Sequence, residues 1–153
     1  MAKSDRQFSG FALVHDLVVM PYVLLDYLAV NGAARKIGIG SSILNFIAEY
    51  FKREGKCLVI ESENPDFGDN KEERAKRIDF YLKNGGEIIQ NVQYLLPPLD
   101  GTVHTEMKLI LFNPKVDGIN QSELKGLITN IYLQIYKRGI EDKYLLSILE
   151  SIK

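Results

Sequence analysis

The sequence holds one cysteine, Cys57, so no disulfide can close within the chain and a reducing compartment is the expectation. Its two histidines, His15 and His104, lie far apart without companion ligands, which argues against a metal site. Basic residues are not in excess: 19 Lys and Arg against 20 Asp and Glu leave a formal net charge of −1, so neither nucleic acid nor a membrane surface is an expected partner. No apolar run approaches the roughly 20 residues of a membrane span, and the opening MAKSDRQFSG lacks the apolar segment of a secretory leader. The expected localisation is cytoplasmic. Repeats, low-complexity tracts and linkers are also missing, and 153 residues suffice for one core, so a single domain over 1–153 is expected. Cys57 itself sits in the apolar stretch CLVIE, where a small buried hydrophobe accounts for it.

What is present alternates between strand and helix patterns. FSGFALVH and YVLLDYLAV are β-rich runs parted near Pro21. Ile43, Leu44, Ile47, Ala48 and Phe51 then fall at helical spacing, with Gly55 as the stop. CLVIE reads as a buried strand, and the polar loop SENPDFGDN follows it. Asp69 with Glu72 predicts a capping box for a second helix, striped by Ala75, Ile78 and Leu82 and ended by the glycines after Asn84. EIIQNVQYLL and EMKLILF read as an antiparallel pair. The tail carries Leu124, Leu127, Ile128, Ile131 and Ile135 on one helical face, then a shorter helix near 141–152. That order, β-β-α-β-α-β-β-α-α, predicts an α/β domain with a sheet of mixed direction.

The densest chemistry lies in RKIGIGSS, residues 35–42, between a strand and a helix start. Such a junction points unpaired backbone N–H groups and the positive end of a helix dipole at one spot. Gly38 and Gly40 clear side chains from the approach, while Arg35 and Lys36 add charge suited to phosphate. A tight turn with no ligand is the plainer alternative. A dinucleotide fingerprint is another, since GIGSSI is a partial G-x-G-x-x-G and Glu61 follows at the distance of a ribose-binding acid. Against it, Ile43 occupies the third glycine position, NGAARKI separates strand from glycine, and the later hairpin breaks the βαβ order.

Arg35, Gly38 and Gly40 fill the pattern R-x-x-G-x-G, and RIDFYLKNGGEII places Tyr81 and Gly85 in a Tyr-x-x-x-Gly register. Loop, strand and tyrosine block in this order resemble the GNAT superfamily of N-acetyltransferases over residues 8–112, leaving 120–153 as a helical C-terminal extension. The resemblance implies an acyl-CoA N-acyltransferase-like fold, with a mostly antiparallel mixed sheet flanked by helices. It implies acetyl-CoA as co-substrate, its diphosphate on the amides of Ile37, Gly38, Ile39, Gly40 and Ser41, with Arg35 and Lys36 alongside. It places the pantetheine arm on the strand edge at Leu28, Ala29 and Val30. Tyr81 becomes the expected proton donor to the leaving thiolate, the alternative being a core anchor. For the base that deprotonates an amine, Glu61, Glu63 and Asp26 are candidates, with Glu61 preferred.

The implied activity is transfer of an acetyl group to a small-molecule or protein amine whose identity the sequence does not give. A catalytically inactive CoA-binding module and a purely structural partner protein are the competing readings. Family members carry a strand and two helices ahead of the first hairpin, elements that wall the acceptor site. Only about eight residues stand there here, so an altered acceptor wall is expected. Arg74 stands where the family often has Asn, and the 62–70 loop is long. The tail helices would cover the open surface or bind a partner. Their apolar stripe is a candidate face for homo-oligomerisation, the plainer alternative being that it packs onto the sheet within the chain.

Overall fold

A computed structural model describes residues 2–4, 7–114 and 117–153, with side chains from residue 8 onward. Its strands are β1 (Ala2–Ser4), β2 (Gln7–Asp16), β3 (Tyr22–Val30), β4 (Cys57–Glu63), β5 (Gly86–Ile88), β6 (Tyr94–Leu96) and β7 (Thr105–Phe112). The helices are α1 (Ile39–Arg53), α2 (Lys71–Lys83), α3 (Gln121–Gln134) and α4 (Lys143–Ser151), with a 3₁₀ turn at Gly32–Ala34. One sheet runs in the order β1-β2-β3-β4-β7-β5, and β6 also pairs with β7. Only β3 and β4 pair in parallel; every other pairing among the described residues is antiparallel. The expected mixed, mostly antiparallel α/β sheet is therefore present.

Alternation along the central strands divides the core in two. Val23, Leu25, Leu58, Ile60, Ile110 and Phe112 pack beneath α1 and α2 with Leu44, Ala48 and Tyr81. Tyr22, Leu24, Val59, Leu109 and Leu111 face the other way, onto α3 and α4. The tail stripe is internal: Leu124, Leu127, Ile128 and Ile131 are at most 4% exposed in that second layer. Of the two arrangements expected for this stripe, packing onto the sheet within the chain is the one observed, so the stripe is not free as a self-association face. A capping box between Asn120 and Glu123 starts α3, and Asp142 caps α4.

Three local expectations change. The start of α2 has no Asp69–Glu72 box; Asn70, at φ 61, is the cap residue and makes no side-chain cap bond. EIIQNVQYLL is not one strand. Ile88 pairs with Ile110 and Tyr94 with Met107, so six steps of chain oppose three, and the excess bulges out at Asn91, whose φ is 59. β1, pairing along β2, was not legible as a strand.

One irregularity shapes the site. In the β2–β3 ladder Leu13 pairs with Tyr27 but Val14 with Leu25, leaving Asp26 as an extra residue on β3. Such a bulge bends its strand and sharpens the twist. The parallel β3–β4 ladder covers Tyr22↔Cys57 to Leu25↔Ile60 and ends at the same point, although both strands continue. Beyond Leu25 the two strands therefore diverge, and the sheet opens.

Candidate active site

The opening is a cleft of about 890 Å³. One wall is the end of β3 beyond its last pair with β4, with Tyr27, Leu28, Ala29 and Val30, still paired to β2 on the other edge; another is the loop and α1 start, with Arg35, Lys36, Gly38, Ile39, Gly40 and Ser41; the third is α2, with Arg77, Phe80, Tyr81 and Lys83. Every residue expected at the cofactor lines it except Ile37, which is 68% exposed.

The approach to α1 is set by hydrogen bonds. Asn31 donates to the Phe8 carbonyl at 3.2 Å and accepts from the Ala33 amide at 3.2 Å, folding the chain off β3 into the 3₁₀ turn. This explains the residues NGAARKI between strand and glycine. Gly38 then caps α1 at φ 82, without a side-chain partner, and the first intrahelical bond runs from Ser42 N–H to Gly38 O at 2.9 Å. Amides preceding Ser42 in that first turn are left for another acceptor.

Charge agrees with this geometry. Arg35, Lys36, Arg77 and Lys83 line the cleft, and no acidic residue does among the described residues. In a chain of net charge −1, four cations in one cleft make a local field suited to a polyanion. Arg77 also meets Glu63 at 3.3 Å.

Tyr81 stands in the last turn of α2, 9% exposed, in a tilted edge contact with Phe80 and packed in the cluster that holds Ile60. Burial pushes its phenol above the usual value, with Arg77 opposing in part. No hydrogen-bond partner meets its hydroxyl among the described residues. It is both part of the core and part of the cleft wall.

Glu61 follows Ile60 and so points to the other face, just past the last β3–β4 pair. Its Oε1 accepts a short hydrogen bond from the Tyr94 hydroxyl and its Oε2 one from the Tyr136 hydroxyl. Burial raises its carboxyl above the usual range; the two phenols pull it back in part, and the charge of Asp26 raises it further. Asp26, at the bulge, pairs with His15 at 3.1 Å. Glu61 thus has no Lys or Arg partner among the described residues, whereas Glu63 has two, Arg74 and Arg77, each at 3.3 Å. The ion pairs assign Glu63 to fastening α2. Arg74, the departure from the family pattern, also donates to the Phe67 carbonyl, tying down the long loop.

Sequence reasoning missed Tyr94 and Tyr136. Tyr94 lay inside an apparent strand, and Tyr136 just beyond a helix, with no spacing to connect either to Glu61. Among the described residues, no three His, Cys, Asp or Glu side chains are grouped as metal ligands would be.

No protein-family model matches the chain, and no curated protein matches it in sequence. Solved structures do. A protein from Bacteroides thetaiotaomicron assigned to the GNAT family of acetyltransferases superposes with a TM-score of 0.70 at 22% identity, over 86% of this chain and 68% of that one. The ribosomal-protein-S18-alanine N-acetyltransferase of Escherichia coli gives 0.51 at 19% identity, over 72% and 64%. A Bacillus subtilis acetyltransferase in complex with CoA gives 0.54 at 15% identity, over 72% of each chain. The chain spans less than two thirds of the length of the E. coli enzyme.

Proposed function

From the GNAT acyltransferase fold, which the chain has, we propose that the protein is an acetyl-CoA-dependent N-acetyltransferase acting on an amine. The observation that carries this reading is the coincidence, in one cleft, of an unpaired strand edge, a helix start with free amides, four cations and Tyr81. CoA needs these features. Its diphosphate would lie on the α1 amides with Arg35 and Lys36 beside it, each amide contact to charged oxygen contributing about 1.5–3 kcal/mol. Its pantetheine arm carries amides that pair with backbone, as an added strand does, along Leu28, Ala29 and Val30. The thioester would then reach the point of strand divergence.

Two groups serve the chemistry there. The amine nitrogen must lose a proton as it attacks the thioester carbonyl, and Glu61, raised by burial, is a base suited to take it through water. The C–S bond breaks, the amide forms, and the thiolate needs a proton. Tyr81, kept protonated at neutral pH with its phenol raised by burial, would hydrogen-bond the sulfur and supply that proton. Tyr81 lines the cleft, whereas Glu61 lies behind the point where β3 and β4 part and does not line it, so its proton transfer would pass through water.

A thiol-release assay with acetyl-CoA and a panel of amines, read with mass detection of the acetylated product, tests the reading. Acetylated product with equimolar CoA release is expected. Saturable acetyl-CoA binding without product from any amine would instead favour the CoA-binding module.

A further inference from the structure

We propose that Tyr136, carried just past the end of α3, is a positioning residue for Glu61, so that the C-terminal helical pair is a working part of the catalytic site. The catalytic consequence rests on the acetyltransferase reading; the contact itself does not.

The region around Tyr136 is built to hold one geometry. Tyr136 N–H still bonds the Ile131 carbonyl at 3.3 Å, and Lys137, at φ 54, turns the chain so that Arg138 N–H meets the Tyr132 carbonyl at 3.0 Å. Three side chains from this turn reach the sheet region. Tyr132 donates to the Leu95 carbonyl, Arg138 donates to the Pro98 carbonyl at 2.7 Å, and Tyr136 donates to Glu61. The Tyr132 and Tyr136 rings meet edge to face at 5.8 Å, which fixes the second ring against the first. Tyr94, 1% exposed, supplies the other donor from β6.

The outcome is a carboxylate with each oxygen held by a neutral donor. A Lys or Arg partner would stabilise the charge so strongly that the group would lose its basicity. Two phenols fix the plane of the carboxylate and leave it without a neutralising cation. The other ionisable group influencing it is Asp26 on β3, itself joined to His15; Glu61 in turn raises the phenol of Tyr132 on α3.

The test is the titration of Glu61 itself, which needs no acceptor. The carboxyl resonance is followed by carbon NMR in Glu-labelled protein and assigned by its loss in Glu61→Gln. A phenol donating to a carboxylate favours the charged form, so Tyr136→Phe should raise the midpoint by about one pH unit, a tenfold rise in proton affinity. Tyr132→Phe, which removes a neighbouring hydroxyl from the last turn of α3 that is bonded to the Leu95 carbonyl, should leave the midpoint in place. An unchanged midpoint in Tyr136→Phe, or equal shifts in both variants, overturns the proposal. Acetyl-CoA affinity, measured on the same samples, should not change in Tyr136→Phe. If wild-type protein fails to bind acetyl-CoA while the midpoint shifts as expected, the acetyltransferase reading fails and the positioning contact stands.

Discussion

Replacing Gly38 by Val separates what the loop does for the fold from what it does for a ligand. Gly38 has φ 82, and a Cβ built there meets nothing within 4 Å. The Cβ therefore meets open space, and the main cost is backbone strain, about 1–2 kcal/mol for an L-residue held in this region. In a domain of this size each kcal/mol lowers Tm by roughly 2–4 °C, so a loss of about 2–8 °C is expected. The added methyl groups would stand at the residue that caps α1 and lines the cleft, where the proposed diphosphate would lie. Losing one or two amide–phosphate contacts, at about 1.5–3 kcal/mol each, should weaken acetyl-CoA binding at least about tenfold and up to about 10⁴-fold. Gly55→Val is the control. Gly55 has φ 74 and equally open surroundings at the far end of α1, so it should lose similar Tm with unchanged affinity. Scanning fluorimetry and calorimetric titration read the two quantities. A folded Gly38→Val protein with wild-type affinity would refute the loop as the phosphate site.

Tyr81→Phe deletes one oxygen with no hydrogen-bond partner among the described residues, so acetyl-CoA affinity should hold while the chemical step slows by about 10²–10⁴-fold in single-turnover assays. Glu61→Gln should abolish the basic group and alter the pH dependence of stability. Because the folded carboxyl is raised, its contribution is fully present below the ordinary Glu value and is lost as pH rises through the raised one, so the Tm of the variant should gain on wild type over that window. Lys36→Ala combined with Lys83→Ala should weaken acetyl-CoA binding and flatten its dependence on NaCl concentration, since both cations line the cleft. Leu127→Ala, at a fully buried position between α3 and the sheet, should cost about 2–5 kcal/mol in urea unfolding, and a change within 0.5 kcal/mol would contradict the internal packing of the stripe.

The parts of this fold that were legible in the sequence are those written in local patterns. Helical stripes such as Ile43–Leu44–Ile47–Ala48, the buried run CLVIE and the glycines of the loop each act on their own neighbours, and the elements they announce are present. The cleft was legible because its walls are consecutive: β3, loop and α1 follow one another, and Tyr81 enters through a fixed register with Gly85. What was not legible depends on distant pairing. The bulge at Asp26 exists only in the β2–β3 register, and the divergence of β3 from β4 only in the extent of their ladder. Glu61 is separated from Tyr94 and Tyr136 by 33 and 75 residues, and no periodicity spans such intervals. The break at Asn91 was hidden because the apolar residues on either side continue a strand pattern.

The measurement that bears most directly on the central claim is a calorimetric titration of acetyl-CoA into the unaltered chain at low and moderate salt, repeated with CoA as competitor. The account expects saturation at one molecule per chain, an affinity that falls as salt rises, and displacement by CoA. Absence of saturable binding up to millimolar acetyl-CoA by a folded protein would contradict it.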